Sequence, residues 1–343
     1  MAEKPKYTVA FTSDRYTLDW ESDAIASLTD LDIDVLTRKC ATEDEIVELA
    51  RDADALVVST RHPITRSVLE QLGRCRVVGS YGVGLDHLDL LAAADLGVVV
   101  THYPQYCTNE VADHAFSLIL ALNRRIHELD QDLRKGAWNH AGTRQMLRGP
   151  VAPLREQTLG IVGLGRIGTK VAERARPFGL TVIAADPQLD AETAKARGAE
   201  LVTFDELLQR SDVITIHCPL GPQTQGLFDA AAFARMKPTA FLVNTARGPI
   251  VDLDAAIDAL QHFAVAGAAL DVVYPEPLPA DSPLYQLPNV ILTPHSAYYS
   301  ERSVELVRSE TLHDTLNVLR GIRPRTVANP EVLDRVSLAP PVE

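Results

Sequence analysis

The stretch Thr158-Leu-Gly-Ile-Val-Gly-Leu-Gly-Arg-Ile-Gly168 decides how the rest of the chain is read. Leu159, Ile161 and Val162 form a short apolar run, and Gly163, Gly165 and Gly168 follow in G-x-G-x-x-G spacing. That order predicts a strand, a tight turn and a helix. The first glycine permits the turn, the second lets a pyrophosphate approach the backbone, and the third lets helix and strand pack closely. The helix start offers unpaired N–H groups and a positive dipole end to phosphates. Glycine-rich turns are common, so context has to carry the reading. A second apolar run, residues 180–185, ends at Asp186, 18 residues beyond Gly168. An acidic residue there meets the adenosine ribose hydroxyls of NAD. With both elements in register, the segment reads as a dinucleotide-binding turn.

Working outward, strands are expected at 159–162, 181–185, 213–217, 240–244, 266–270 and 290–293, with helices between them. Six strands in this arrangement match the doubly wound dinucleotide fold. Upstream, strands at 7–11, 34–36, 55–59, 76–79 and 98–100 alternate with helices at 23–28, 43–51, 65–72 and 88–95. Such alternation implies a second parallel sheet covered on both faces. Between the blocks, a long helix is expected from Thr108 or Asn109 as its cap, with Ala115, Leu118, Ile119 and Leu122 on its apolar face. A second helix covers 126–134, and an irregular segment, 142–153, leads to the glycine turn. A last helix, 300–319, has no strand partner and is expected to return to the first block. The expected fold is α/β, with two doubly wound parallel-sheet domains: a Rossmann domain and a discontinuous, flavodoxin-like one.

Composition narrows the function. The 343 residues are 46% hydrophobic and 23% charged, ordinary for a globular protein. The formal charge of −13 argues against nonspecific binding to nucleic acid or anionic membrane, which needs basic patches. It leaves room for a small anionic substrate, because a few local arginines can dominate a site. No apolar run approaches the ~18–20 residues of a membrane span, and residues 1–6 lack the apolar core of a signal peptide. Cys40, Cys75, Cys107 and Cys218 form no CxxC or metal-ligand spacing, and the histidines no HxxxH or HExxH grouping. A cytoplasmic protein with reduced thiols and no metal is expected.

Ligands of such folds bind at the carboxyl ends of the strands, and three polar residues fall there. Arg247 lies in Asn244-Thr-Ala-Arg-Gly248, Glu276 in Asp271-Val-Val-Tyr-Pro-Glu-Pro277, and His295 ends Ile291-Leu-Thr-Pro-His. Hydride transfer to a keto group needs a proton donor for the developing alkoxide, and histidine is tuned for that near neutrality. A carboxylate bonded to the imidazole raises its pKa and fixes its orientation. An arginine holds a substrate carboxylate and polarises the neighbouring carbonyl. Singly, each has a bland reading: a solvated turn residue, a loop charge between prolines, a structural histidine. Three at successive strand ends, downstream of a dinucleotide turn, form a sufficient set for reducing a 2-keto acid.

Together, Gly163-x-Gly-x-x-Gly168, Asn244-Thr-Ala-Arg-Gly248, Gly267-Ala-Ala-Leu-Asp271 to Glu276-Pro277, and Thr293-Pro-His295 resemble the D-isomer-specific 2-hydroxyacid dehydrogenases. The resemblance runs from about residue 50 to 320. Thr293-Pro-His-Ser-Ala-Tyr-Tyr-Ser-Glu301 looks most like the C-terminal-binding-protein branch. The resemblance implies that Arg247, Glu276 and His295 are catalytic. It assigns NAD to Gly163, Gly165, Arg166, Ile167, Gly168, Asp186, His217, Cys218, Pro219, Thr224, Thr245, Ala246, Arg247, Asp271 and His295. It assigns the substrate to Tyr81, Gly82, Val83, Arg247, His295 and Tyr298, with backbone N–H groups at Tyr81-Gly-Val-Gly84 meeting the carboxylate. Arg61, after the strand at 55–59, is a candidate for a second substrate anion, as is found in phosphoglycerate-type relatives. The implied domains are 1–107 with 297–333 for substrate, 108–296 for NAD, and a loose tail at 334–343. Members are usually homodimers, joined through the helices after residue 107.

This chain departs from many relatives in carrying Ser80 in place of arginine and His87 in place of asparagine. Tyr298 stands where the corepressor branch has tryptophan. These positions surround the expected substrate. The leading expectation is an NAD-dependent oxidoreductase of a small 2-keto or D-2-hydroxy acid. Its alternatives are an NAD(H)-responsive, corepressor-like binding protein and, among enzymes, a phosphoglycerate- or glyoxylate-type dehydrogenase.

Overall fold

The glycine turn and the strand-end residues take their positions from two parallel sheets. The computed structural model describes residues 6–12, 25, 31–60, 63–138, 147 and 149–341. The helix expected at 23–28, save residue 25, lies outside them, as do Arg61 and most of 139–148. The chain divides into two compact units, residues 1–106 with 300–343, and residues 107–299.

In the first unit, β1 (Lys6–Phe11), β2 (Asp32–Thr37), β3 (Ala55–Ser59), β4 (Val77–Tyr81) and β5 (Val99–His102) form a parallel sheet in the order β2-β1-β3-β4-β5. This is the flavodoxin-like winding. Every residue of β3 and β4 is buried, as a strand covered on both faces requires. Helices α1 (Glu43–Ala50), α2 (Arg66–Glu70) and α3 (Leu90–Asp95) supply part of that cover. Thr42 and Glu45 close α1 with a reciprocal capping box. The returning helix, α11 (Glu301–Leu319), lies on β4, where a Cβ at Gly79 would meet Thr311 Cγ2 at 3.1 Å. Beyond it, Asn329 bonds Val98 O and the Val100 N–H, both at 2.9 Å. The stretch expected as a loose tail from 334 is instead tied down as far as Ala339, which pairs with Ile322. Backbone bonds between the two segments, which sequence periodicity does not report, hold it.

In the second unit, β6 (Thr158–Val162), β7 (Thr181–Ala185), β8 (Glu200–Leu201), β9 (Val213–Ile216), β10 (Phe241–Asn244), β11 (Gly267–Leu270) and β12 (Val290–Leu292) form one parallel sheet. Its order is β12-β11-β10-β9-β6-β7-β8. The winding reverses between β6 and β9, the switch point where such sheets bind ligands. The short edge strand β8 makes the seventh strand; two residues carry no period by which a sequence could announce them.

Helices α4 (Thr108–Asn123) and α6 (Arg166–Ala175) cover one face, and α8 (Phe204–Arg210) and α10 (Leu253–Gln261) the other. On the first face Ala115, Ile119 and Leu122 of α4 join Leu159, Ile161 and Val171 in one apolar cluster. Ile183, Ile214, Phe228 and Leu242 anchor the cluster on the opposite face. Helix α5 (Ile126–Arg134) follows α4; α7 (Ala191–Ala196) and α9 (Ala230–Arg235) complete the crossovers. The expected cap of α4 at Thr108 or Asn109 is corrected: Cys107 holds the N-cap position without a side-chain bond. The Asn109 side chain accepts from Arg174 instead.

Candidate active site

The chemistry of the second unit starts at the turn after β6. Gly163 adopts φ 89°, and a Cβ there would lie 2.7 Å from the Cys218 backbone nitrogen. A Cβ at Gly168 would overlap the Gly163 carbonyl oxygen, so α6 packs on the turn only because both residues lack side chains. Around Gly165 nothing of the protein lies within 4 Å of where a Cβ would be. Gly165 caps α6 without a side-chain bond, so no side-chain cap occupies the first-turn N–H groups. Arg166 opens the helix exposed, and Ile167 packs half-buried against the core.

Asp186 follows β7 and locks the turn from beside it. Its Oδ2 accepts from the Leu164 N–H at 2.9 Å and its Oδ1 from the Gln188 N–H at 3.0 Å. His217 and Cys218 follow β9. His217 Nε2 contacts Thr215 Oγ1 at 2.9 Å, while Nδ1 is buried with no hydrogen-bond partner among the described residues. Burial pushes the His217 pKa down to about 3, so the ring is neutral. Burial likewise pushes the Cys218 thiol up to about 11. Thr224 spends its hydroxyl inside its own loop, donating to Pro219 O at 2.6 Å and accepting from the Gly221 N–H at 2.9 Å. Thr245 Oγ1, at the end of β10, is buried without a partner among the described residues. An open phosphate cradle, an uncapped helix start and two orphaned polar atoms fit a dinucleotide.

The three strand-end residues belong to adjacent loops. Asn244 is fully buried; its Oδ1 accepts from the Ala246 N–H at 3.0 Å and its Nδ2 donates to Arg247 O at 2.9 Å. This brace fixes the loop that presents Arg247, whose Nη1 donates to Ala246 O at 2.8 Å. A Cβ at Gly248 would overlap the Val273 carbonyl group, so the Arg247 loop lies directly on the loop that carries Glu276. His295 Nδ1 donates to Glu276 Oε2 at 2.8 Å. A carboxylate only accepts, so that ring nitrogen carries the proton and Nε2 is left for other chemistry. Both side chains keep close to two-fifths of their surface exposed. Burial pushes the Glu276 carboxyl up, but the His295 hydrogen bond and charge, the Val273 N–H and the Arg247 charge outweigh it, and it settles below its ordinary value. The Tyr298 ring meets the His295 ring edge-on, centroids 6.4 Å apart.

His295 itself adopts φ 52°, a left-handed conformation that costs a side-chain-bearing residue energy. Asp271, 3% exposed, holds it there. The Asp271 carbonyl accepts from the His295 N–H at 2.8 Å. Its Oδ1 accepts from Thr293 Oγ1 at 2.6 Å and the Ser296 N–H at 2.9 Å, and its Oδ2 from the Ala297 N–H at 3.0 Å. The resemblance assigned Asp271 to the cofactor; in this structure both its carboxylate oxygens bond the 293–297 loop. His114, on α4, contacts Thr293 Oγ1 at 3.1 Å. Sequence reading missed His114, Thr293 and Asn244 as supports; the only signal was a polar residue on an apolar helix face or strand end.

In the first unit, Tyr81 ends β4 and Gly82 and Val83 follow it. A Cβ at Gly82 would overlap Thr60 Cγ2, so the turn packs against the end of β3. The two departures from the family pattern touch: Ser80 Oγ, wholly buried, lies 3.3 Å from His87 Nε2.

A family model for the D-isomer-specific 2-hydroxyacid dehydrogenase NAD-binding domain matches residues 116–297. The chain is 38% identical to a glyoxylate reductase of Thermofilum pendens over 85% of its own length and 86% of the relative's. It is 38% identical to a D-3-phosphoglycerate dehydrogenase of Methanocaldococcus jannaschii over 84% of its length, spanning 54% of that protein. The crystal structure of an Aquifex aeolicus D-lactate dehydrogenase, complexed with NAD and lactic acid, superposes with a TM-score of 0.80 at 28% identity, covering 98% of this chain and all of that one. Sequence, fold and site agree, and the chain belongs to the D-isomer-specific 2-hydroxyacid dehydrogenase family, oxidoreductases that use a nicotinamide dinucleotide.

Proposed function

We propose that the protein reduces a small 2-keto acid to its D-2-hydroxy acid, with His295 as the acid, Glu276 as its orienting carboxylate and Arg247 as the carboxylate clamp. The observation that carries this reading is the 2.8 Å bond from His295 Nδ1 to Glu276 Oε2 at the carboxyl edge of a dinucleotide-type sheet. The bond holds the ring so that protonated Nε2 can reach a keto oxygen. When bound, the reduced nicotinamide supplies the hydride. The Nε2 proton moves to the substrate oxygen as charge develops on it, leaving neutral imidazole beside Glu276; oxidation runs the same transfer backwards. Arg247 meets the substrate carboxylate and polarises the adjacent carbonyl. Tyr298 borders the acid, and Tyr81, Gly82 and Val83 keep the substrate role that the family resemblance gives them.

Gly163, Gly165, Arg166, Ile167 and Gly168 would hold the pyrophosphate. Asp186 would hold the adenosine ribose, favouring NAD because a 2′-phosphate would meet its carboxylate. His217, Cys218, Pro219, Thr224, Thr245, Ala246 and Asp271 would line or support the rest. The first substrate to test is glyoxylate, the substrate class in the name of a relative of matching length. A panel of glyoxylate, pyruvate, hydroxypyruvate, longer keto acids and phosphohydroxypyruvate, assayed with NADH, decides it. Fastest turnover of an unphosphorylated short keto acid supports the reading, and no NADH consumption with any of them refutes it. Arg61 remains the proposed partner for a second anion: Arg61→Ala should weaken only dicarboxylate or phosphorylated substrates.

A homodimer is also part of this reading. Ile126 is 56%, Leu133 38% and Trp138 80% exposed, large apolar side chains in and just after α5 that a partner would cover. Sedimentation at micromolar concentration tests it. A cytoplasmic location fits four free cysteines, three of them buried. No helix among the described residues is long and apolar enough to cross a membrane.

A further inference from the structure

We propose that His114 is a positioning residue for the proton donor, acting on His295 through Thr293 and Asp271. The inference rests on reading His295 as the acid. Thr293 Oγ1 lies 2.6 Å from Asp271 Oδ1, and a carboxylate oxygen accepts, so the threonine hydroxyl spends its only proton there. The same oxygen lies 3.1 Å from His114 Nε2, and with its proton committed it accepts. The direction of the chain is therefore fixed: His114 Nε2–H to Thr293 Oγ1–H to the Asp271 carboxylate. His114 Nε2 also lies 3.6 Å from Asp271 Oδ1, so it faces the carboxylate as well as the hydroxyl.

Asp271 is where this chain meets the active loop. Its carbonyl holds the His295 N–H, and its carboxylate holds the N–H groups of Ser296 and Ala297. Three consecutive residues are thus pinned to one buried acid, and the central consequence is the left-handed backbone of His295 at φ 52°. A residue in that region stays there only while its surroundings over-determine it. Hydrogen bonds in such a buried chain polarise and strengthen one another, so removing the His114 donor weakens the Thr293–Asp271 bond that follows it. The imidazole is held to Glu276 by a single hydrogen bond, so a small rotation of the loop separates the pair.

His114 sits on α4, the helix that begins one residue after the chain enters this unit, and the 293–297 loop ends two residues before Tyr299, where the chain leaves it. The network therefore joins the entering and leaving segments of the unit at the proton donor. Neither contact is local in sequence; His114 and Thr293 are 179 residues apart.

The test measures keto-acid reduction with NADH in the wild type, His114→Ala, His114→Gln and Thr293→Val, each normalised to NADH sites counted by fluorescence titration. His114→Ala should lower kcat by about 10- to 100-fold, the usual effect of a misplaced reacting group. The NADH dissociation constant should change far less than kcat, because the pyrophosphate turn and Asp186 lie on other loops. His114→Gln keeps a donor at the same reach and should restore most of kcat. Thr293→Val should match His114→Ala. Should His114→Ala not fold, Thr293→Val against Thr293→Ser gives the same contrast. Wild-type kcat in His114→Ala or Thr293→Val would overturn the inference alone, as would glutamine being no better than alanine. A wild type inert toward every keto acid would overturn the reading of His295, and this inference with it.

Discussion

Two loops at the carboxyl edge of one sheet reach their functional shapes by opposite means. The turn after β6 is shaped by what is missing: Cβ atoms at Gly163 or Gly168 would run into backbone, and at Gly165 the absent side chain leaves open space. The loop after β12 is shaped by what is present: Thr293, Ser296 and Ala297 all bond the Asp271 carboxylate, and His295 is held at φ 52° between its carbonyl and Glu276. A ligand approached by backbone dipoles needs room, so the first loop tolerates no additions. A proton donor needs one orientation, so the second tolerates no deletions.

The contrast is broken most strongly at the acid. His295→Ala should lower turnover by about 10²–10⁴, the usual contribution of a positioned general acid, with NADH binding retained. Steady-state kinetics beside a fluorescence titration separate the two, and near wild-type turnover would remove His295 from the reaction. The opposite experiment adds a methyl to the turn. Gly168→Ala puts a Cβ against the Gly163 carbonyl and should cost about 1–3 kcal/mol in urea unfolding, as overpacking does. It should also weaken NADH binding while leaving the His295 loop intact; unchanged stability and affinity would mean that the turn can yield.

Next in size is cofactor choice. Asp186→Ala should narrow the NADH-over-NADPH preference in kcat/KM by about tenfold, equivalent to ~1.4 kcal/mol. Because Asp186 also holds the Leu164 N–H, part of the loss should fall on NADH itself. Better use of NADPH than NADH by the wild type would discard the ribose assignment. The smallest effect concerns pH. The Glu276 carboxyl lies below its ordinary value in the folded chain, so it contributes stability that is complete above the unfolded pKa. That contribution fades only as pH falls below about 4.3 and through the lower folded value. Glu276→Gln should therefore flatten the acid side of urea-midpoint curves, the difference from wild type shrinking as pH falls below about 4.3. A difference that does not shrink there would contradict the assignment.

The two loops also differ in how plainly the sequence announced them. Spacing suffices for the glycine turn, because each glycine answers to a backbone constraint local to a few residues, and Asp186 lies at a set distance. Arg247, Glu276 and His295 were found as polar residues ending apolar runs. Their supports were not. Asp271 bonds residues 22 to 26 positions away and His114 reaches 179, and no periodicity encodes such contacts. The same holds for Ser80 and His87, which looked like two separate departures and form one contact. Strand β8 and the Cys107 start of α4 were missed because two-residue strands and uncapped helix ends leave no pattern. Long-range parallel pairing was legible throughout, since alternation of buried strands and amphipathic helices dictates it.

Whether His295 and Glu276 act as one unit is read by a double-mutant cycle. Turnover is measured for the wild type, His295→Ala, Glu276→Gln and the double variant with the same keto acid and NADH. If the carboxylate works only by orienting and charging the imidazole, Glu276→Gln slows the wild type but costs less than about twofold once His295 is absent. Equal losses in both backgrounds would contradict the account, because Glu276 would then act on the reaction without His295.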